Sequence, residues 1–349
     1  TLQSENVSPF IGFRNRIING AMMIDQRNAG ASGTAGYTVD RWGYNASLGN
    51  KVTFQQNAGS VTPPTGFKNY LGITSTSSYT VGSSDIFYLS QAIEGLNVQD
   101  LAWGTGNAAS VTLSFKVYSS LTGNFGGSLS SASRSYPFTY SVPTANTWTT
   151  VSITIPGDTT GTWLTTNGVG IYVYFGLGSG SSYSGTSGAW ANQVLIQPTG
   201  TVSVVGTNAA TWYITGVQLE RGSVASSFEF RPFGTELALC QRYYEKSYNL
   251  STVPGTTGFA QGGEMKATQN SINPQATWQV QFKVSKRTTP TFTVYNPVTG
   301  GTGTCRDDQN NDDAVGTTSI GESNAMPFDA SGSTAGFNHY IHWTASAEL

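Results

Sequence analysis

Charge is what this chain has least of. Lys, Arg, Asp and Glu together make up 10% of its 349 residues, against roughly 25% in average soluble domains. The formal net charge is −2, so there is no basic patch to meet a phosphate backbone, and a nucleic-acid partner is not expected. Long apolar runs are missing too. Nothing approaches the ~18 consecutive apolar residues that a membrane-spanning helix needs, so no membrane insertion is expected. TLQSENVSPF has neither a basic n-region nor an apolar h-region, which predicts no secretory leader and fits cytoplasmic synthesis. Cysteine is limited to Cys240 and Cys305, far apart and without C-x-x-C spacing. They are expected as two reduced, half-buried thiols rather than a disulfide. The only histidines are His339 and His342. Three positions apart in a strand they point to opposite faces, so two separate, partly exposed imidazoles are expected, with no metal and no cofactor. The one acidic cluster, Asp307, Asp308, Asp312 and Asp313, lacks the order of a calcium hand and reads as a solvated turn.

What the chain does have is Gly, Ser, Thr and rings. Gly numbers 42 and aromatics reach 12%, too many rings for a disordered chain. Alternation of period 2 marks strands at Val111–Tyr118 and Val151–Ile155, the latter stopped by Pro156 and Gly157. Residues 169–175, VGIYVYF, are apolar on both faces and predict a central strand. Tyr213–Leu219, Trp278–Val284, Thr291–Tyr295 and Tyr340–Thr344 read as further strands. Leu237, Cys240 and Tyr244 have helical spacing, so Thr235 is expected to cap a short helix over Glu236–Lys246; a strand can also be written there. The length allows two domains. The expected architecture is all-β: a short N-terminal arm over 1–12, a large jelly-roll β-sandwich over 13–232, and a smaller C-terminal β-sandwich over 233–349.

Charge returns where these two units meet. Thr159 to Leu219 contains no Asp, Glu, Lys or Arg, whereas Thr211 to Tyr248 holds Glu220, Arg221, Glu229, Arg231, Glu236, Arg242, Glu245 and Lys246. Arg221, Glu229, Arg231, Glu236 and Arg242 are expected to fix the relative orientation of the units, since interdomain contacts are more polar than cores.

Sugar recognition needs a flat ring for the apolar face of a pyranose and planar polar groups for its hydroxyls. The candidates are rings on loops: Trp103 in LAWGTGN, Trp163 after PGDTTG, and Tyr183 and Trp190 in the long Gly/Ser loop 176–200, a length that points to function. Asn107, Asn192 and Gln193 are the candidate polar groups. Trp42, Trp148 and Trp212 lie in strand patterns and are expected in the core. Catalysis has thin support. A glycosidase needs two carboxylates flanking a cleft, and only Glu94 and Asp100 offer to meet across a bend; no catalytic residues are assigned and no enzyme is expected.

The junction ITGVQLERGSVASSFEFRPFGTELALCQRYYEKS resembles that of bacteriophage tail-fibre and appendage proteins with a carbohydrate-binding-module-like jelly roll. NRIINGAMMIDQRNAG with YTVDRW, VTLSFKVYSSLTGNFGGSL, TWTTVSITIPGDTTGTW and the final HWTASAEL resemble their other segments. The likeness covers most of residues 14–248 and the last few residues. It implies a virion appendage, homotrimeric, docked to other virion proteins through the N-terminal arm and attached to a bacterial surface glycan. Related jelly rolls hold a structural calcium with an acidic N-terminal segment and last strand. Here those read Asn19-Gly20-Ala21-Met22-Met23 and Ile214-Thr215-Gly216-Val217, so the calcium is not carried over. The alternative is a structural virion component (collar, head fibre or decoration protein) whose jelly roll only packs subunits.

Overall fold

A computed structural model describes residues 13–259, 261–268, 276–330 and 337–349. The expected arm, 1–12, lies outside the described residues. In chain order the strands are β1 (Gly36–Tyr37), β2 (Gly43–Ala46), β3 (Val52–Gln56), β4 (Leu71–Ser75), β5 (Ile86–Glu94), β6 (Val111–Ser119), β7 (Gly123–Ser130), β8 (Ser135–Val142), β9 (Thr149–Ile155), β10 (Val169–Ser179), β11 (Ser184–Gly185), β12 (Gln197–Pro198) and β13 (Thr211–Arg221). Helix α1 (Phe233–Gln241) follows. Then come β14 (Tyr244–Lys246), β15 (Met265–Thr268), β16 (Val280–Gln281), β17 (Thr291–Tyr295), β18 (Thr304–Asp307), β19 (Asp312–Ile320), β20 (Asn324–Asp329) and β21 (Asn338–Ser346).

The first unit is a sandwich of jelly-roll type. One antiparallel sheet runs β1-β2-β5-β10-β7-β8 and the other β3-β4-β13-β6-β9. Alternate residues face inward, so Leu113, Phe115 and Val117 of β6 meet Ile171, Val173 and Phe175 of β10 in one core. Phe175 sits at its centre, 5.1 Å from Phe115, 5.8 Å from Trp212 and 6.1 Å from Trp42 between ring centroids. Trp42 and Trp212 are buried as expected, but Trp148 is not a core residue. It precedes β9 on the outside of its sheet, against Tyr70 and Tyr118, because its Nε1 donates to the Thr62 carbonyl.

The N-terminal segment enters without a strand partner along its length, and glycine lets it approach β13. Gly216 takes a left-handed φ of 63° at a bulge, which re-aims the Val217 amide onto the Gly20 carbonyl. A Cβ on Gly20 would stand 2.1 Å from the Val217 oxygen, so only glycine fits there.

The second unit is an all-β assembly built on β21, which pairs with β14 and β17 at one end and β15 and β18 at the other. Several expectations need correction here. The helix spans Phe233–Gln241 with Pro232 before it, and Tyr244–Lys246 is a strand: three residues paired with β21 outweigh weak helical spacing. Of Trp278–Val284 only Val280–Gln281 forms a strand, although Trp278, Val280 and Phe282 are buried. Both cysteines and both histidines are fully buried rather than partly exposed, because they lie under neighbouring elements instead of on a wet face.

The charged segment does two jobs. Glu229 accepts the backbone amides of Arg14 and Asn15, Arg231 donates to the carbonyls of Asn15 and Ile17, and Glu236 accepts the Asn19 amide. These side chains supply the hydrogen bonds that a neighbouring strand would otherwise give. Across the junction Arg242 and Tyr243 bond Glu94, Lys246 Nζ donates to the carbonyls of Gln26, Leu250 and Thr252, and Glu348 joins Arg27 and Arg41. Arg221 is exposed.

Candidate functional site

Strand alternation puts Tyr172 and Tyr174 of β10 and Tyr88 and Ser90 of β5 on the outer face of the six-stranded sheet, opposite the core. Register places Asn45 beside Tyr88 and Gly43 beside Ser90, and the small Gly43 leaves room for the Tyr37 ring, 3.8 Å from where its Cβ would be. The result is an open groove of about 300 Å³ lined by Tyr37, Asn45, Tyr88, Ser90, Tyr172 and Tyr174 among others. Tyr172 and Tyr174 stack in parallel with centroids 5.4 Å apart and planes 9° apart, and Tyr88 meets Tyr174 edge-on at 4.9 Å.

The groove has two built ends. The 180–200 segment covers the β7 side, where Ser128 Oγ donates to the Leu195 carbonyl. At the other end the C-terminal residues close in. Leu349 lines the groove, and Glu348 is held by Arg41, whose guanidinium stacks 3.5 Å over Tyr243. The site therefore draws on both units of the chain.

Its hydroxyls are neutral over a wide pH range. Burial, then the Glu348 carboxylate, pushes Tyr37 up to about 12. Burial, then the neighbouring Tyr172 and Tyr183, raises Tyr88, and burial raises Tyr174. The phenols of Tyr37, Tyr88 and Tyr174 stay both donor and acceptor. Among the described residues the groove lining contains no Asp or Glu.

The sequence candidates fall in two places. Tyr183 lies beside the groove, near enough to Tyr88 to affect its ionisation. Trp103, Trp163 and Trp190, from three separate loops, form a mutual edge-to-face cluster with centroids 4.6, 5.3 and 5.4 Å apart at one end of the sandwich. Their ring N–H groups are occupied: Trp103 donates to the Ala109 carbonyl, Trp190 to the Pro156 carbonyl, and Trp163 to Asp158 and the Thr160 carbonyl. Arg134 ties Asp158 to Asn192 beneath them. Burial alone would raise the Asp158 carboxyl, but the bonds from Arg134 and Thr160 outweigh it and hold it below the usual range. Asn107 and Gln193 are exposed nearby on the same loops. This cluster fastens loops and spends its donors doing so. Glu94 and Asp100 form no pair: the first bonds Arg242 and Tyr243, the second Arg16.

Tyr37, Asn45, Tyr88, Ser90, Tyr172 and Tyr174 escaped the sequence reading because rings were sought on loops. The signal was there: Tyr172-Val-Tyr174 in a central strand puts two amphipathic rings on one face.

No protein-family profile and no curated protein matches the chain. Among solved structures, similar ones include TmCBM61 in complex with β-1,4-galactotriose, at 11% identity over 60% of this chain and 100% of that chain, TM-score 0.32. Another is a family 11 carbohydrate-binding module from Clostridium thermocellum with a β-1,3-1,4-mixed-linked tetrasaccharide, at 12% identity over 56% of this chain and 98% of that one, TM-score 0.29. A third is the enzymatically active domain of bacteriophage CBA120 tailspike protein 4, at 10% identity over 60% of this chain but 22% of that one, TM-score 0.32. Likeness at this level assigns neither ligand nor activity.

Proposed function

We propose that this chain is a non-enzymatic glycan-binding protein, an appendage of a bacteriophage particle that attaches to bacterial surface carbohydrate through the tyrosine groove. The observation that carries this reading is the parallel Tyr172–Tyr174 pair flanked by Tyr88, Asn45 and Ser90 in an open groove of about 300 Å³, within the size range of small-ligand sites. A tyrosine offers an apolar face for pyranose C–H groups and a hydroxyl for its oxygens, and the Asn45 amide both donates and accepts. A lining without carboxylates suits binding and leaves hydrolysis without an acid–base pair. The virion setting, the homotrimer and docking through residues 1–12 rest on the resemblance in residues 14–248. Scarce surface charge agrees with that setting, because little is left for salt to screen.

One observation favours the structural-component reading. Phe67, Phe228 and Phe230 form an aromatic knot with centroids 4.8–5.2 Å apart, and Phe230 is 54% exposed. Such a patch suits packing against another subunit.

The test is binding of labelled protein to a panel of bacteria, competed with their isolated polysaccharides. Saturable binding abolished by one polysaccharide, and weakened about tenfold or more by Tyr172→Ala (~1.4 kcal/mol) but not by Trp190→Ala, is expected. Loss with Trp190→Ala alone moves the site to the tryptophan cluster. A folded protein that binds no strain, the host included, leaves the structural component.

A further inference from the structure

The C-terminal unit carries a buried constellation that plays no part in the groove. Cys305 on β18 and Asp313 on β19 are direct cross-strand partners. His339 on β21 pairs with Asp307, two residues from Cys305 on β18, and Asp329 on β20 pairs with Val315, two residues from Asp313 on β19. Sheet order β21-β18-β19-β20 therefore brings four potential ligands from four adjacent strands together. His339 Nδ1 lies 3.7 Å from Cys305 Sγ, 3.6 Å from Asp313 Oδ2 and 3.9 Å from Asp329 Oδ2. One ligand atom each from Cys305, Asp313 and His339 fall within 4.8 Å of one another.

Cys305 Sγ and His339 Nδ1 are within hydrogen-bond reach of each other. A ring nitrogen donates one hydrogen, yet a thiol and two carboxylates approach Nδ1. Both oxygens stand farther from it than the ~2.7–3.2 Å of an N–H···O bond. Metal coordination accounts for this convergence well. A tetrahedral shell with bonds of ~2.0 Å to N and O and ~2.3 Å to S has edges of roughly 3.3–3.5 Å, and the two edges at His339 Nδ1, 3.6 Å to Asp313 and 3.7 Å to Cys305, lie within a few tenths of an ångström of that. Sulfur with imidazole and carboxylate selects a borderline transition ion over calcium or magnesium. Access decides the role. Cys305 and His339 are fully buried and Asp313 is half-buried, which points to a structural role.

We infer that Cys305, Asp313 and His339 form a structural site for a divalent transition metal of the zinc type, joining three strands of the C-terminal sheet. The test uses the full chain, purified under reducing conditions, stripped with a chelator, reloaded with Zn²⁺ or Co²⁺ and freed of excess metal by gel filtration. Metal analysis is expected to find one ion per chain, and chelation to lower the melting temperature reversibly. The Co²⁺ form is expected to show a thiolate charge-transfer band that Cys305→Ser abolishes and Cys240→Ser leaves intact. Asp313→Asn is expected to weaken retention at least tenfold. Wild-type chain that keeps no metal overturns the inference however the variants fold. Metal held equally well by Cys305→Ser overturns it too.

Discussion

The two units of this chain differ in how much apolar core they enclose. The sandwich holds one large apolar cluster, with Phe54, Phe87, Phe115, Phe125, Phe175 and Trp212 at its heart. The C-terminal unit has two small apolar clusters, one around Trp278 and Ile341 and one around Phe282 and Trp343. Among them it buries His339, His342, Asp307, Asp329 and the Lys286–Glu245 pair. A small unit cannot enclose enough apolar surface to hold by that alone. Directed polar bonds then carry more of the specification, and stability becomes sensitive to pH, to single charges and to any bound ion.

The comparison can be broken from either side. The largest expected effect is in the sandwich: Phe175→Ala leaves a cavity among four rings and costs ~3–5 kcal/mol, read as a large drop in the denaturation midpoint. Next is Glu245→Gln, which strands the Lys286 ammonium in a site where it also donates to the carbonyls of Gln241 and Val284. Breaking one partner of such a pair costs about 3 kcal/mol or more, and Glu245→Gln combined with Lys286→Met should recover part of it.

The third prediction concerns acid. Burial lowers His342 from 6.5 to about 4. Between those values the unfolded chain takes up a proton that the folded chain refuses, so stability is full above pH 6.5 and is lost as pH falls toward 4. At 1.36 kcal/mol per unit this reaches about 3 kcal/mol. Asp40 in the first unit acts with the opposite sign, since burial raises it to about 6, and its contribution is lost as pH rises through that value. Melting curves of wild type and His342→Gln between pH 4 and 7 isolate the histidine: the difference between them should shrink as pH falls. The smallest effect sharpens the contrast within the sandwich. Trp148→Ala, on the outer face, removes two ring contacts of ~0.5–1.5 kcal/mol each at most and should cost far less than Phe175→Ala.

Alternation made β6, β9 and β17 legible, because a strand with one wet face writes its period into the sequence, and β10 was legible as a run apolar on both faces. The charge cluster was legible only in part: Arg242 and Lys246 do reach residues of the sandwich, whereas Glu229 and Arg231 hold the N-terminal segment and Arg221 is exposed. The groove was not legible. Tyr172 and Tyr174 read as ordinary strand filling until the β5–β10 register set Tyr88 beside them along the groove. The three tryptophans were singled out correctly as loop rings, yet their mutual packing depends on three loops meeting at one end of the sandwich.

By itself, then, the sequence determined what local chemistry controls: an all-β chain, the faces of its clearest strands, and the scarcity of charge. Tertiary structure alone decided which outward faces stay open and which buried groups meet. Cys305 and His339 are 34 positions apart and Arg41 and Glu348 are 307 apart. Sheet order and register create those encounters, and no period along the chain encodes them.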